Sequence, residues 1–273
     1  MPELPEVETV KRGIIELVGE KTLLKKLELK RQDLRFPIPS DIVRRFKNVE
    51  ILQITRRAKY LMFHTPKGIL VSHLGMTGTW REKTKNEILR THDHILMHLK
   101  DKVLIYNDPR RFGSFEYCGL DQLESFVRFK HLGPEPLDEE RFNFEYLWKK
   151  SRKKELVIKN FIMDQRVVVG VGNIYAAEAL FLSAIKPTRK TKSITKKEME
   201  RLIDNIRLVL ESAIEAGGSS ISDFKQAGGE SGYFQNHFNV YGREAEDCFI
   251  CSAKIKNISI GGRSSFYCSR CQV

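Results

Sequence analysis

Two groups of residues in this chain could do chemistry on their own account. The first is the opening, Met1-Pro2-Glu3. Methionine ahead of proline is readily trimmed, and the Pro2 nitrogen would then be a secondary amine instead of an amide. An α-amine has a pKa of roughly 7.7–8, so part of it is uncharged and nucleophilic at neutral pH. Glu3 places a carboxylate one residue away. An inert terminus would read the same way, and these residues alone leave both readings open. The second group is Cys248, Cys251, Cys268 and Cys271, spaced Cys-x2-Cys-x16-Cys-x2-Cys. Two tight thiolate pairs at that separation suit one tetrahedral Zn2+. Four thiolates leave no coordination position open, so the expected metal is structural. Cys118 stands apart and reads as a small core residue.

These groups must be held by the elements around them. Residues 3–18 read as a helix with Val7, Val10, Ile14, Leu17 and Val18 on one face, and proline suits a helix start. The positive helix end would favour the uncharged amine, while Glu3 and Glu6 oppose this. Candidate strands follow at 22–29, 49–55, 60–64, 69–73, 94–99, 103–106 and 114–117, several alternating apolar and polar residues, with a short helix near 40–46. The pattern predicts an antiparallel β-sandwich domain over 1–132 carrying the N-terminal helix. Gly133-Pro134-Glu135-Pro136 marks a linker at 133–138. Helices are predicted over 139–149, 154–164, 173–183 and 195–216, in a helical domain at 139–234. Its last part, 217–234, is a Gly/Ser-rich loop long enough to be functional. The cysteines fall in a final module at 235–273. The expected fold class is therefore α+β: an N-terminal helix plus an antiparallel β-sandwich, then a helical domain with a four-cysteine zinc hairpin.

The 273 residues are 41% hydrophobic and carry a formal net charge of +12, with a pI near 9.4. That composition fits a folded protein, and that charge implies a polyanionic partner, most often nucleic acid. There is no run of eighteen apolar residues and no signal peptide, so a cytoplasmic protein without a membrane segment is expected.

Several loops have the composition of nucleic-acid contacts. Asp108-Pro109-Arg110-Arg111-Phe112-Gly113 puts two arginines beside an aromatic, suited to phosphate or base edges and to wedging between bases. Leu74-Gly75-Met76-Thr77-Gly78 is a second tip with Met76 between glycines. Either alone is more often a simple turn with a buried hydrophobe. Asn173 stands at a predicted helix start after Gly170-Val171-Gly172, a phosphate-sized anion site or a routine cap. His92 suits a phosphate contact and His94 a packing role. Arg56-Arg57-Ala58-Lys59 reads as a charged turn between strands.

Taken in order, Pro2 through Thr9, Arg57-Ala58-Lys59-Tyr60, His73-Leu74-Gly75-Met76, Asn107 through Gly113, Gly170 through Tyr175, Val240-Tyr241-Gly242-Arg243 and the four cysteines resemble the bacterial formamidopyrimidine-DNA glycosylases. The resemblance spans essentially the whole chain. It implies a base-excision repair enzyme that flips oxidised purines, such as 8-oxoguanine, out of double-stranded DNA. It also implies a helix-two-turn-helix arrangement in the helical domain and strand cleavage at the abasic site by β,δ-elimination. By the same resemblance Pro2 forms a Schiff base with the sugar, Glu3 is its acid/base, and Glu6 lines the base pocket. Lys59 and Arg263 assist elimination and bind phosphate. Met76, Arg110 and Phe112 fill the void, with Arg110 reading the orphaned cytosine. His92, Arg111, Lys159 and Asn173 contact phosphates, with Lys154 beside them. The 217–234 loop covers the extruded base. A monomer is expected, associated with the nucleoid when on DNA. Ser222 departs from the family, in which a basic residue is frequent there, and this bears on lesion preference. Three alternatives remain: an endonuclease VIII-like enzyme for oxidised pyrimidines, a non-catalytic DNA-binding paralogue, and a proline-based tautomerase. Leu4 and the Met76/Arg110/Phe112 set favour the purine enzyme over the first.

Overall fold

A computed structural model describes residues 2–219 and 234–273. The chain gathers into two compact units. One holds the residues up to Lys130 and resumes at Ala216; the other comprises His131–Glu215 and Phe234–Val273.

The first unit opens with α1 (Leu4–Val18), followed by β1 (Thr22–Leu24), β2 (Lys26–Leu29), α2 (Ile42–Arg45), β3 (Val49–Ile51) and β4 (Gln53–Arg57). Then come β5 (Tyr60–Thr65), β6 (Gly68–His73), β7 (Thr79–Glu82), β8 (Asp93–His98), β9 (Val103–Asn107) and β10 (Ser114–Cys118). Two four-stranded antiparallel sheets result, ordered β10-β6-β5-β4 and β2-β8-β9-β7, with β1 and β3 as a separate ribbon. The alternation of half-buried strands explains the layering. Leu61 and Phe63 of β5 enter a core shared with Ile95 and Met97 of β8, and Val7, Val10 and Ile14 of α1 close it. Trp80 is fully buried and joins the sheets, its ring centroid 5.2 Å from Tyr106, 5.9 Å from Phe63 and 6.1 Å from Phe115.

Two predicted strands divide. The run at 22–29 breaks at Lys25, where the chain leaves its pairing with β3 and joins β8. The run at 49–55 breaks at Leu52 in the same way, between the ribbon and the larger sheet. Hydrophobic alternation carries no sign of which partner a strand takes. Strand β7 escapes the sequence pattern because four residues show too little alternation to register.

The second unit contains α3 (Phe144–Ser151), α4 (Ile158–Met163), α5 (Asn173–Leu182), α6 (Lys196–Glu215), β11 (Ile255–Ile260) and β12 (Arg263–Cys268). Helix α3 starts at Phe144 and not at residue 139, because Asn143 caps it, its Oδ1 accepting from the Tyr146 N–H at 3.0 Å. Helix α4 is confined to 158–163. Helix α5 is buried from Ile174 through Phe181, the mark of a core helix. Ala177 and Phe181 of α5 share a cluster with Val240, Cys248, Ile255 and Cys268. The helical and cysteine-bearing segments therefore pack on each other within this unit. No described helix is long and apolar enough to cross a membrane.

Candidate active site and zinc centre

The first turn of α1 is enclosed. Pro2 is buried, and Glu3 and Glu6 are each 2% exposed. Glu6 Oε2 accepts from the Glu3 backbone N–H at 2.8 Å, as an acid in the third helical position does when it reaches back to the cap. Its other oxygen, Oε1, accepts from the Ser219 N–H at 2.8 Å and from the Ser219 hydroxyl at 2.9 Å. Gly218 has φ +78°, and a Cβ there would meet Glu6 Oε1 at 3.2 Å. Glu6 thus clasps the helix start to the stem of the 217–234 loop. Ser222 and the rest of 220–233 lie outside the described residues, as does Met1.

Lys59 lies in the two-residue turn between β4 and β5, where Arg57 pairs with Tyr60. Ala58 takes φ 53°, a left-handed conformation that an alanine adopts only when its surroundings enforce it. Arg56 supplies the enforcement. Its Nη1 donates to Ala58 O at 2.9 Å while its Nε donates to Glu8 Oε2 at 3.1 Å. Burial raises the Glu8 carboxyl pKa, but Lys11 and Arg56 outweigh it, and the group ends below its ordinary value. Helix α1 therefore carries the turn that presents Lys59, itself 8% exposed. Beside it, burial, reinforced by the charge of Lys59, pushes the His73 imidazole down to about 4. Neutral His73 accepts from the Gly75 N–H through Nδ1 at 2.9 Å.

Met76 (38% exposed), Phe112 (44% exposed) and Arg110 project from two loop tips. The Arg110 guanidinium lies 4.7 Å from the Phe112 ring centroid, a cation–π distance. Arg111 is exposed with φ 56°. His92 is exposed, whereas His94 is buried and its Nε2 lies 2.9 Å from Asp108 O.

In the second unit the four cysteine sulfurs all lie within 4.8 Å of one another. Cys248 Sγ and Cys271 Sγ are 3.8 Å apart, and Cys251 Sγ and Cys268 Sγ 3.4 Å. A zinc ion bound at 2.3 Å requires an edge of about 3.8 Å, so the four thiolates fit one structural zinc. Arg263 is exposed at the tip of the β11–β12 hairpin, after Gly261 and Gly262 at φ 58° and 74°. Two successive positive φ values make the tight turn that suits a strand pair's twist. The residue after the tip is tethered. Ser264 O accepts from Lys159 Nζ at 3.0 Å and from Asn173 Nδ2 at 3.0 Å.

Lys159 is 1% exposed, and its ammonium also donates to Ser265 Oγ at 2.6 Å, propping β12 from within. One expectation changes here: the N-cap of α5 is Gly172, and Asn173 is the first helical residue instead of the cap. Lys154 is half-buried in the turn before α4.

The comparisons with known proteins fall on this same arrangement. The family model described as the formamidopyrimidine-DNA glycosylase N-terminal domain matches residues 1–115. The H2TH domain of the same glycosylases matches 132–225, and a zinc finger found in FPG and IleRS matches 246–273. The formamidopyrimidine-DNA glycosylase of Bdellovibrio bacteriovorus is 50% identical over the full length of both chains. That of Haemophilus influenzae strain PittEE is 45% identical over 100% of this chain and 99% of its own. The chain belongs to the formamidopyrimidine-DNA glycosylase family. A Lactococcus lactis FPG variant solved with Fapy-dG containing DNA superposes with a TM-score of 0.92, at 35% identity and 99% coverage of both chains. MutM solved with carbocyclic 8-oxo-G containing DNA gives 0.91, at 35% identity and 99% coverage of both.

For a formamidopyrimidine-DNA glycosylase, the sequence reading passed over three supporting side chains. Glu178 is 1% exposed, and its carboxylate accepts from the backbone N–H groups of Asn239, Val240 and Tyr241 at 2.8–3.0 Å and from Asn239 Nδ2 at 3.0 Å. It pins to α5 the segment that leads into the zinc hairpin. A lone acid in the otherwise apolar Ile174–Phe181 stretch was the available signal. Glu8 and His73 were visible only as members of motifs, with nothing in their spacing to name their partners.

Proposed function

We propose that this chain excises oxidised purines from double-stranded DNA and then cleaves the abasic strand, acting as a cytoplasmic monomer. The observation that carries the reading is the pair of loop tips bearing Met76, Arg110 and Phe112. An exposed methionine and an exposed phenylalanine, with a guanidinium stacked on the latter, leave apolar surface in water at two adjoining loop tips. They suit the gap left in a base stack when a nucleotide is turned out, and an arginine suits the edge of the base left behind. The relatives solved with Fapy-dG and 8-oxo-G containing DNA support the same substrate class. The net charge of +12 supports a polyanionic partner.

In this reading Met1 is removed and the Pro2 amine attacks C1′ of the flipped nucleotide. The bond from C1′ to the damaged base breaks, the base leaves with a proton, and the sugar ring opens as an iminium forms on Pro2. The iminium acidifies the C2′ proton; its removal expels the 3′ phosphate, and a second elimination expels the 5′ phosphate. Glu3 moves protons at the sugar. Lys59 and Arg263 steady the phosphates, Arg263 electrostatically, since a guanidinium keeps its proton. His92, Arg111 and Asn173 are further phosphate contacts. The zinc supplies only a rigid hairpin behind Arg263.

The test is a comparison of duplexes carrying 8-oxoguanine opposite cytosine with duplexes carrying an oxidised thymine. We expect the purine to be released at least about tenfold faster, a ratio within reach of pocket contacts. Faster release of the pyrimidine would transfer the chain to the endonuclease VIII-like reading.

A further inference from the structure

We propose that Asp108 is a positioning residue that locks the two void-filling tips into one rigid element, so that Met76, Arg110 and Phe112 enter the duplex as a unit. This rests on the function proposed above. Asp108 is 0% exposed, and a buried carboxylate is retained where donors replace the water it has lost. Both oxygens are engaged. Oδ1 accepts from the Thr77 hydroxyl at 2.6 Å, in the tip that carries Met76. Oδ2 accepts from the Gly113 N–H at 2.9 Å, at the end of the tip that carries Arg110 and Phe112. The Thr77 oxygen in turn accepts from the Arg110 N–H at 3.2 Å, which closes a ring of hydrogen bonds across both tips.

The surroundings leave no slack. The Tyr106 hydroxyl lies 3.4 Å from Asp108 Oδ2 and donates to His73 O at 3.1 Å. The backbone of Asp108 is held as well, its N–H donating to His92 O at 3.1 Å and its carbonyl facing His94 Nε2 at 2.9 Å. The two tips touch through their backbones. A Cβ on Gly75, which has φ +62°, would come within 2.3 Å of Phe112 C, and one on Gly113 within 1.8 Å of the Tyr106 hydroxyl. Each Asp108 oxygen takes a committed donor, Thr77 on Oδ1 and the Gly113 N–H on Oδ2, so the position calls for two acceptors. Asparagine has the shape but would turn an NH2 toward one of those donors. A preorganised wedge spares the cost of ordering two loops separately at the moment of binding. It also fixes the Arg110 backbone, and so the reach of its guanidinium toward the opposite base.

The experiment compares the parent protein with Asp108→Asn, Thr77→Val and Thr77→Ser. Each is measured for single-turnover release of 8-oxoguanine opposite cytosine and opposite adenine, and for borohydride trapping on a duplex that already contains an abasic site. A 2-aminopurine next to the lesion reports unstacking by its fluorescence. Asp108→Asn and Thr77→Val should each slow release by about tenfold or more, as misplacement of a wedge would, and weaken both the preference for cytosine and the 2-aminopurine signal. Trapping on the preformed abasic site should fall by less than about threefold, because the bond-forming groups stand elsewhere. Thr77→Ser keeps the hydroxyl and should restore the parent behaviour. The proposal is overturned if Thr77→Val and Thr77→Ser behave alike, or if Thr77→Val loses trapping as fully as release. The threonine pair decides the matter even where Asp108→Asn fails to fold. A parent protein that released no 8-oxoguanine would overturn the functional reading itself, whereas an active parent with unaffected variants would overturn only the role of Asp108.

Discussion

Replacing Glu3 by glutamine is expected to slow release of an oxidised purine by about 10²–10⁴-fold, the range in which a positioned general acid or base contributes. Glu3 is 2% exposed at the start of α1, adjacent to Pro2, and its backbone N–H is fixed by Glu6 at 2.8 Å. Its carboxylate takes part with Glu6 in the reciprocal cap of the helix start, which holds it in place next to the Pro2 amine. Glutamine preserves shape and hydrogen-bonding reach but cannot carry the proton. The melting temperature should change little, since the glutamine oxygen can still accept the capping hydrogen bond. Single-turnover release on an 8-oxoguanine:cytosine duplex, read beside a thermal melt, checks both. A loss below about threefold would take Glu3 out of the reaction.

Removing zinc should have the second large effect. Apparent zinc-binding energies in finger peptides are about 10–16 kcal/mol, as large as the whole stability of a domain at about 5–15 kcal/mol. Here the four sulfurs crowd within 4.8 Å. Burial, and then the neighbouring sulfurs, drive the Cys271 thiol well above its ordinary range when no cation offsets them. Without the ion the β11–β12 hairpin loses its closure, and the Ser264 carbonyl that Lys159 and Asn173 hold goes with it. Metal analysis should return one zinc per chain. Chelation or Cys248→Ser in the full chain should weaken duplex binding by at least about tenfold through lost phosphate contacts. The fluorescence of Trp80, buried in the other unit, should stay in its blue-shifted position. A zinc-free protein that bound the duplex as the parent does would break the link between metal and hairpin.

Much of this was legible in the residues, for identifiable reasons. The cysteine spacing is a local code, and the structure draws those four sulfurs together. The first helix was readable because Val7, Val10 and Ile14 recur at helical intervals over a long run. The sandwich was readable from alternation, but not the split of 22–29 at Lys25, because pairing partners are chosen by residues far away in sequence. The anchoring of Lys159 was hidden for a related reason: only the folded hairpin supplies the Ser264 and Ser265 oxygens that its ammonium reaches. The partners of Glu8, Glu178 and Asp108 were hidden because each joins segments distant in the chain, Glu8 reaching Arg56 and Glu178 reaching Val240. Sequence reading found the residues whose type announces chemistry. It missed most of those that hold them.

The central claim is that the Pro2 nitrogen bonds to the sugar. It is tested most directly by reducing the enzyme–DNA intermediate with borohydride on an abasic duplex, then digesting it and locating the adduct by peptide mass. The account predicts a single adduct on an N-terminal peptide that begins at Pro2, strongly diminished in Pro2→Gly. An adduct mapped to a lysine such as Lys59, or an active protein whose N-terminal peptide still carries Met1, would contradict it.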